Sequence, residues 1–492
     1  MSNNSELHTA HTDADHTLKR EFTLWSSFAF AFAYISPIVA LYGIFGLAYS
    51  TAGPSFWWNF LIVFGGQLLV ALVFAECVSR WPIEGSVYQW ASHLIGKGWG
   101  WMAGWLYMWT IVVAMATVAI GAGGFVARVV NQDPLATAFN LGSIAMSKQV
   151  AIGLIILVLG TIANVTGRQV LKVLMTGSII AEVLGSIGLG LLLLIGHRNN
   201  DFSVITSGFS TEHYLSLSGP FLITMAFVGF SFVGFESAGS IAEEVKNPRE
   251  TLPKAVILSL SIVALVVIFA SLSIILSIPA DIAANSTDPV YDTLKTELGT
   301  GAAKFAEVLF TVGFLASFLA LQTSASRIMW AFSRDNALPA HRSISRLSKG
   351  QKQPVVALTI ATVIGAIMMV LSQATPNFYT LMLNFTTGGF FLAFLFPLTG
   401  SFISKVRKTW EPGPFNFGRW SFFVSTVALV WAIFMFLNIS WPRPVYPDTR
   451  YLDFSVWIAA AGLIAIGTVV YFSLRSKMTS VDLDDIRKSE AQ

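Results

Sequence analysis

Long apolar stretches, separated by short polar connections, recur from one end of the chain to the other. A helix needs about 20 apolar residues to cross a bilayer core, and backbone amides in lipid must be paired within a helix. The stretches therefore predict twelve membrane-spanning helices, called spans 1 to 12. They lie near 25–49, 56–79, 99–130, 149–166, 169–196, 215–240, 254–278, 301–332, 354–373, 378–403, 418–439 and 453–475.

Composition supports an all-α integral membrane protein. Of the 492 residues, 54% are hydrophobic and only 12% are charged, whereas soluble domains carry about 25% charged residues. Lipid must therefore replace water around most of the surface. The net charge of +3 indicates no nucleic-acid partner, and the single cysteine, Cys77, excludes a disulfide framework and a multi-cysteine metal site.

Charges in the connections predict the topology. With the N-terminus inside, most lysines and arginines of the connections fall on the inner side, as the positive-inside rule requires. Both termini are then cytoplasmic, and the expected membrane is the plasma membrane, which is the inner membrane of a bacterium. The segment 1–24 lacks the apolar core of a cleaved signal peptide. It is expected to be a disordered tail, with metal binding by His8, His11 and His16 as the alternative.

Two spans contain interruptions near the middle. In span 1, Pro37 removes a backbone donor and clashes one turn back, and Ser36 beside it can satisfy the freed groups. In span 6, Gly229 and Gly234 weaken the helix, and Glu236 puts an ionisable group at membrane depth. The alternative is an ordinary proline kink with glycines at packing positions. The pair of interruptions predicts discontinuous helices in spans 1 and 6.

The spacing of the interruptions predicts an inverted repeat. They lie five spans apart, and corresponding breaks in two halves are typical of transporters built from inverted repeats. Because five is an odd number, the second set of spans must insert upside down. The predicted segments are a tail over 1–24, a first five-helix repeat over 25–196, an inverted repeat over 215–403, two extra helices over 418–475 and a cytoplasmic tail over 476–492.

The breaks also predict a substrate site. A broken helix presents N–H groups that attract a carboxylate at one new end, and C=O groups that attract an ammonium group or a cation at the other. The site therefore suits a small zwitterionic or cationic solute. Its predicted substrate-binding residues are Tyr34, Ile35, Ser36, Pro37, Ile38, Phe230, Ser231, Phe232, Gly234 and Phe235.

Trp105 and Trp109 in span 3 are further candidates for the wall of this site. Together with Trp101 they are spaced by four residues, so they share one face of the helix. Aromatic faces bind ammonium groups and quaternary amines by cation–π attraction. Tryptophans also collect at membrane interfaces, and an interfacial position is the alternative.

Three stretches resemble the amino acid–polyamine–organocation superfamily. They are Gly-Phe-Glu-Ser-Ala-Gly at 234–239 with Glu-Glu-Val-Lys-Asn-Pro at 243–248, the segment 326–339 that leaves span 8, and Arg-Trp-Pro-Ile-Glu-Gly-Ser at 80–86. The second is similar to the amino acid/choline transporter subfamily, whose carriers take amino acids, γ-aminobutyrate or choline. The resemblance covers roughly residues 25–475. It implies a LeuT-like 5+5 inverted repeat working by alternating access, with spans 1, 2, 6 and 7 rocking against spans 3, 4, 8 and 9.

Two carboxylates within the predicted spans are the candidates for gating and coupling. The resemblance implies that Glu236 holds the broken helices together and couples to occlusion; a structural hydrogen bond is the alternative. Glu182 lies near the middle of span 5, about where some proton-coupled relatives place a lysine, so it is the candidate proton carrier. Pairing with a serine or a backbone group is the alternative there. Sodium, held by span 8 hydroxyls such as Ser317 and Thr323, is the less favoured coupling ion.

The predicted function is proton-coupled import of an amino acid or a related amine. A choline, polyamine or other organic-cation carrier is the alternative, favoured by Ile35-Ser36-Pro37 where many amino-acid carriers have a Gly-Ser-Gly type turn; amino-acid exchange is another. No enzyme activity and no cofactor are expected, since the histidines lie outside the middles of the spans and lack metal-ligand spacing. A channel is not expected either, because the sequence contains no repeated filter segment. Monomer and homodimer both stay open.

Overall fold

The computed structural model describes residues 18, 20–286, 288–350, 352–374, 378–443 and 449–479, apart from the side chains of residues 168, 379 and 380. Most of the predicted N-terminal tail, with its three histidines, lies outside the described residues, as does most of the predicted C-terminal tail. The disorder predicted for the N-terminal tail and the cytoplasmic position predicted for the C-terminal tail stay predictions.

Twelve helices within the described residues are long and apolar enough to cross a membrane, which confirms the predicted number. Spans 1 to 12 run over Leu24–Tyr42, Phe45–Arg80, Lys97–Val129, Lys148–Thr166, Gln169–Gly196, Pro220–Glu244, Pro248–Ser277, Thr300–Arg334, Val355–Ala374, Leu381–Val406, Gly418–Ser440 and Arg450–Leu474. An even number of crossings returns the chain to the side where it began. We call that side the terminal side.

Short elements fill several connections. Helices outside the spans are Val87–Leu94, Phe202–Ser210, Ala280–Asn285, Pro289–Leu298 and His341–Ile344. An antiparallel hairpin of Thr137–Leu141 and Ile144–Ser147 connects spans 3 and 4. Gly142 turns this hairpin with a φ of 62°, a conformation that glycine adopts without strain. Apart from these two strands, the regular structure of the described residues is helical, so the predicted all-α class is confirmed.

The corner between spans 1 and 2 differs from the predicted one. Span 1 ends at Tyr42, and the apolar residues that follow form a separate helix, Phe45–Ala52. The turn Gly53–Phe56 joins this helix to the long helix Trp57–Arg80. Hydrophobicity alone cannot locate the corner, because the chain is apolar on both sides of it.

Packing brings the middles of spans 1 and 6 into the interior. Spans 1 and 2 pack against span 7, while span 3 packs along spans 8 and 10. Span 3 is buried over most of its length, whereas spans 4, 9, 11 and 12 turn most of their side chains outwards. The interior of the protein therefore lies between the group containing spans 1 and 7 and the group containing spans 3 and 8.

Spans 1 and 6 are discontinuous, as predicted. Their pieces are Leu24–Ile35 and Pro37–Tyr42 in span 1, and Pro220–Val228, Gly229–Phe232 and Phe235–Glu244 in span 6. Span 5 is also irregular, because a π-helical segment over Val183–Gly188 follows the helix Arg168–Glu182. The repeat boundaries 25–196 and 215–403 stay a prediction.

Candidate substrate site at two broken helices

The break in span 1 is centred on Ser36. This residue has φ 51° and ψ 111°, so it leaves the helix for a single position, and Pro37 begins the second piece. Proline suits a first helical position because its missing N–H would have no helical acceptor there. The Ser36 hydroxyl accepts the Val39 N–H at 3.1 Å. The Ser-Pro pair therefore ends one helix and caps the next.

Glu182 caps the same break from another span. Its Oε1 accepts the Ser36 hydroxyl at 2.5 Å and its Oε2 accepts the Ile38 N–H at 2.8 Å. Glu182 is fully buried and lies directly before the π-helical segment of span 5. The Tyr42 hydroxyl donates to the Gly185 carbonyl of that segment at 2.7 Å. A protein carboxylate thus occupies the N–H end of the second helix piece, where the helix dipole favours negative charge.

The break in span 6 is centred on Gly234. Val233 is extended, and Gly234 has a φ of 111°, which strains any residue with a side chain. A Cβ atom at Gly234 would also lie 2.4 Å from Cδ1 of Tyr34 in span 1. Glycine is therefore required both by the backbone and by the close approach of the two spans.

Glu236 caps the break in span 6 from within the same span. Its Oε2 accepts the Gly234 N–H at 2.9 Å, and its Oε1 accepts the Tyr107 hydroxyl of span 3 at 2.9 Å. The Ser86 hydroxyl donates to the Glu236 carbonyl at 2.9 Å. Glu236 is fully buried. Each break therefore places a buried carboxylate on its N–H end.

Side-chain donors occupy several carbonyl groups around the breaks. Ser231 donates to the Ala40 carbonyl at 2.6 Å and so ties span 6 to span 1. Ser317 of span 8 donates to the Tyr34 carbonyl at 2.9 Å, and Gln67 of span 2 donates to the Phe232 carbonyl at 3.2 Å. The Tyr34 hydroxyl is buried and has no hydrogen-bond partner in the described part of the chain. The three donors tie spans 2, 6 and 8 to the two breaks.

A cavity of about 890 Å³ extends from the side opposite the termini to residues within four positions of each break. Val39, which follows the first break, and Phe230, which precedes the second, both line it. Aromatic rings form part of its wall, since Tyr42 stacks on Phe310 with centroids 3.8 Å apart. Arg128 contributes a charge there and lies 3.2 Å from Glu307. The cavity therefore brings a small solute to within about one helical turn of each break.

The terminal side is closed by ion pairs between the end of span 6 and the end of span 8. Arg327 contacts Glu244 at 3.0 Å, and Arg334 contacts Glu243 at 2.5 Å. Asp335 accepts hydrogen bonds from Tyr88 and Gln89 in the short helix after span 2. We call the residues Glu84, Tyr88, Gln89, Glu243, Glu244, Arg327, Arg334 and Asp335 the terminal gate.

The structure brings several of the predicted site residues together. Tyr34, Ser36, Ser231, Gly234, Glu182 and Glu236 meet at the breaks through the contacts described above, and Ile35 and Pro37 are buried beside them. Ile38 offers its backbone N–H there, but its side chain packs against Gly185 and Gly313. Phe230 lines the cavity.

Phe232 and Phe235 face other helices rather than the cavity. Phe232 packs edge-on against Phe60 of span 2, with centroids 6.2 Å apart. Phe235 packs against Phe74 and Phe394, at 6.0 and 5.9 Å. Both rings hold span 6 in position, because they wedge its broken segment against spans 2 and 10.

Trp105 and Trp109 are not brought to the breaks. The Trp105 indole donates to the Leu463 carbonyl of span 12 at 2.9 Å and stacks on Trp101 at 5.3 Å. Trp109 packs edge-on against Trp105 at 5.7 Å. The tryptophan face of span 3 therefore contacts span 12, and the opposite face, with Tyr107, reaches Glu236. The sequence pattern identified the face but not its neighbour.

Sequence reasoning did not select Tyr107, Tyr42, Gln67 or Ser86 as site residues. Tyr107 and Gln67 carry polar groups in the middle of apolar spans, and this is the signal that would have singled them out. In span 8, Ser317 donates directly to the Tyr34 carbonyl. Thr323 donates instead to Asn164 of span 4 at 2.6 Å.

Comparison with known proteins agrees with the motifs. Residues 22–470 match the family model described as amino acid permease. The chain is similar to the amino-acid permease BAT1 of Arabidopsis thaliana, with 25% identity over 490 residues that cover 94% of this chain and 93% of that protein. It is similar to the branched-chain amino acid permease BcaP of Lactococcus lactis, with 27% identity over 380 residues that cover 73% of this chain and 76% of that protein. It is also similar to amino-acid permease 2 of Neurospora crassa, with 25% identity over 454 residues that cover 87% of this chain and 81% of that protein. The resemblance to the superfamily is thereby confirmed. With its broken spans 1 and 6 and a family match over most of its length, this chain belongs to the amino acid permease family.

Proposed function

We propose that this protein imports an amino acid or a related amine, together with protons, by alternating access. Its proposed location is the plasma membrane, or the inner membrane of a bacterium, with both termini cytoplasmic. The observation that carries the proposal is the meeting of two helix breaks, each capped by a buried carboxylate, beside a cavity. Family membership and the names of the relatives support the substrate class.

Access to the breaks supports alternating access. The cavity approaches them from the side opposite the termini, while the terminal gate closes the other side. In the proposed cycle the terminal gate opens and the cavity closes, so that the solute leaves on the cytoplasmic side. Spans 1 and 2 pack against span 7, and span 3 packs against span 8; these are the two groups that we propose move against each other.

Glu182 is the proposed proton carrier. Its two oxygens accept hydrogen bonds from Ser36 and Ile38, and no lysine, arginine or histidine of the described residues forms an ion pair with it. Protonation removes its charge and weakens both bonds, since ionised acceptors form the stronger hydrogen bonds. The Ile38 N–H and the helix end are then free to bind a substrate carboxylate. Proton binding and amino-acid binding therefore favour each other.

Uptake of labelled alanine into proteoliposomes, with and without an imposed inward proton gradient, tests this proposal. We expect the gradient to drive accumulation by the native protein. Glu182→Gln should lose gradient-driven accumulation but keep exchange of labelled for unlabelled alanine, because the amide no longer exchanges a proton. Asp281→Asn, on an exposed helix of the opposite side, is the control and should behave like the native protein. Equal accumulation by Glu182→Gln and the native protein would exclude Glu182 as the carrier.

A carrier of an organic cation without a carboxylate is the second candidate. It is favoured by the same caps, because both N–H ends at the breaks already hold protein carboxylates. The two candidates respond to acid in opposite directions. Acid should strengthen the binding of an amino acid, because protonated Glu182 frees the Ile38 N–H for the substrate carboxylate. Acid should weaken the binding of choline, because it neutralises the carboxylates that attract the cation. In the uptake experiment, choline rather than alanine would then be transported, and transport would slow at acidic pH.

A further inference from the structure

Glu84 is a buried carboxyl group that the proposed transport cycle does not use. It lies in the connection between spans 2 and 3, outside the membrane-spanning segments. Its side chain is fully buried, and both of its carboxyl oxygens have no hydrogen-bond partner among the described residues. Its backbone N–H donates to Glu243 Oε1 at 3.2 Å. Gly85 and Ser86, with φ values of 118° and 48°, turn the chain so that Glu84 points into the terminal gate.

The charged groups around Glu84 are already paired with one another. Glu243 and Glu244 come from the end of span 6, and Arg327 and Arg334 from the end of span 8. Arg327 binds Glu244, and Arg334 binds both Glu243 and, at 3.1 Å, Asp335. In the ion pairs of the described residues, two arginines thus face three other acids before Glu84 is counted. An ionised Glu84 would be an additional buried anion without a donor of its own.

This environment favours the neutral form of Glu84. Burial is the main cause, and the neighbouring Glu244 and Glu243 act in the same direction; together they raise the pKa of Glu84 well above its ordinary value. Arg327 and Arg334 act in the opposite direction but do not cancel the other effects. A buried charge without a partner is costly, so a closed gate and an ionised Glu84 are poorly compatible.

We propose that Glu84 is a proton-binding site of the terminal gate: the gate is closed while Glu84 holds a proton, and loss of that proton to the terminal side favours opening. In the open gate, water reaches the carboxylate and solvates its charge. The stabilisation of the closed gate is then fully present at acidic pH, below the ordinary carboxyl range. This stabilisation is lost as the pH rises through the raised pKa that Glu84 has in the closed gate. This proposal concerns the gate alone and does not depend on the identity of the solute.

A distance measurement across the gate tests the proposal without any transported solute. Glu250 and Arg342 are exposed on the terminal side, after span 6 and after span 8 respectively. Spin labels on Glu250→Cys and Arg342→Cys report their separation in nanodiscs, and the native Cys77 is buried. For the native gate we expect the longer-distance population to increase severalfold between pH 6 and pH 8. One proton allows at most about tenfold per pH unit.

Three variants complete the experiment. Glu84→Gln keeps the size of the side chain without titrating, so it should show the short distance at both pH values. Glu84→Asp keeps a titrating group in the gate and should retain the pH response. Glu212→Gln, exposed on the opposite side, is the control and should not change the response.

Three results would overturn the proposal. The first is a native distance distribution that does not change between pH 6 and pH 8. The second is a Glu84→Gln distribution that changes with pH as the native one does. The third is a Glu84→Gln distribution that shows the long distance at both pH values. The first needs no substitution at Glu84, so the proposal can be rejected even if Glu84→Gln does not fold. Loss of alanine uptake alone would bear on the proposed function and leave the gate proposal unaffected.

Discussion

The two helix breaks have the same cap but obtain it in different ways. In span 6, Glu236 accepts the N–H of Gly234, only two residues away, so the cap belongs to the broken segment itself. In span 1, the cap comes from Glu182, 144 positions from Ile38 along the chain. A local cap forms with the segment, whereas a distant cap exists only while spans 1 and 5 are in register. We therefore infer that the span 1 break is the one that can be switched.

The backbone shows the same difference. Ser36 adopts a φ of 51° and uses its side chain to bind both Glu182 and the Val39 N–H. Gly234 adopts a φ of 111° and has no room for any side chain beside Tyr34. Hydrogen bonds to a carboxylate thus hold both breaks, and shape additionally holds the span 6 break. The predictions below separate charge, shape and single hydrogen bonds at these two positions.

The largest effect is expected from removing the charge at the span 6 break. Glu236→Gln keeps the size of the side chain, and the Tyr107 hydroxyl can reverse to accept from the new amide, so the fold should survive. The buried negative charge that accepts the Gly234 N–H and the Tyr107 hydroxyl is lost, and hydrogen bonds to charged groups contribute about 1.5–3 kcal/mol. We expect alanine uptake into proteoliposomes to fall by about a hundredfold.

Insertion and folding of this variant need a separate measurement. Its yield in the membrane fraction and its elution as a single species in detergent should match those of the native protein. Glu212→Gln, far from both breaks, provides the matched loss of one carboxylate and should transport normally. Normal uptake by Glu236→Gln would remove Glu236 from the mechanism and leave only a structural role.

Sequence reasoning predicted the breaks well because their causes are local. Ser36-Pro37 and Gly234 act on their own backbone, and a carboxylate such as Glu236 inside an apolar stretch is conspicuous in any sequence. The twelve spans follow from hydrophobic length for the same reason. These features need no knowledge of which helices are neighbours.

The contacts between spans could not be predicted in this way. Trp105 and Glu182 both lie on apolar spans, yet one meets the Leu463 carbonyl of span 12 and the other meets Ser36 of span 1. The pattern within a helix identifies a face, but the partner of that face depends on three-dimensional packing. Glu84 escaped notice for the same reason, since its burial results from residues at the ends of spans 6 and 8.

An intermediate effect is expected from filling the space at the span 6 break. Gly234→Ala must hold a side chain at a φ of 111° and 2.4 Å from Cδ1 of Tyr34, so either the backbone or the ring must move. A residue held in such a region costs about 1–3 kcal/mol. We expect a lower melting temperature in detergent and uptake reduced by roughly tenfold.

Gly177→Ala is the matched control for this substitution. Gly177 lies inside the helix Arg168–Glu182, and a Cβ atom there would meet no other atom within 4 Å. Alanine stabilises a helix relative to glycine by about 1 kcal/mol, so the melting temperature of Gly177→Ala should equal or exceed that of the native protein. If Gly234→Ala melted at the same temperature as Gly177→Ala, shape would not be what holds the span 6 break.

The smallest effect is expected from removing one hydrogen bond at the span 1 break. Ser317→Ala deletes the donor to the Tyr34 carbonyl and leaves the caps on both N–H ends in place. A net hydrogen bond contributes about 0.5–1.5 kcal/mol, so uptake should fall by a factor of roughly two to ten. Because the native hydroxyl binds this carbonyl directly, exchanging sodium for potassium should not change uptake by the native protein or by the variant.

Thr311→Val is the comparison for that variant, since the Thr311 hydroxyl donates only to the Glu307 carbonyl of its own helix at 2.8 Å. It should therefore leave uptake unchanged. Sodium-dependent uptake by the native protein that disappears in Ser317→Ala would mean that an ion, rather than a direct hydrogen bond, joins spans 1 and 8. That result would also undermine the contrast between the breaks, because span 1 would then be switched by a cation and not by a proton on Glu182.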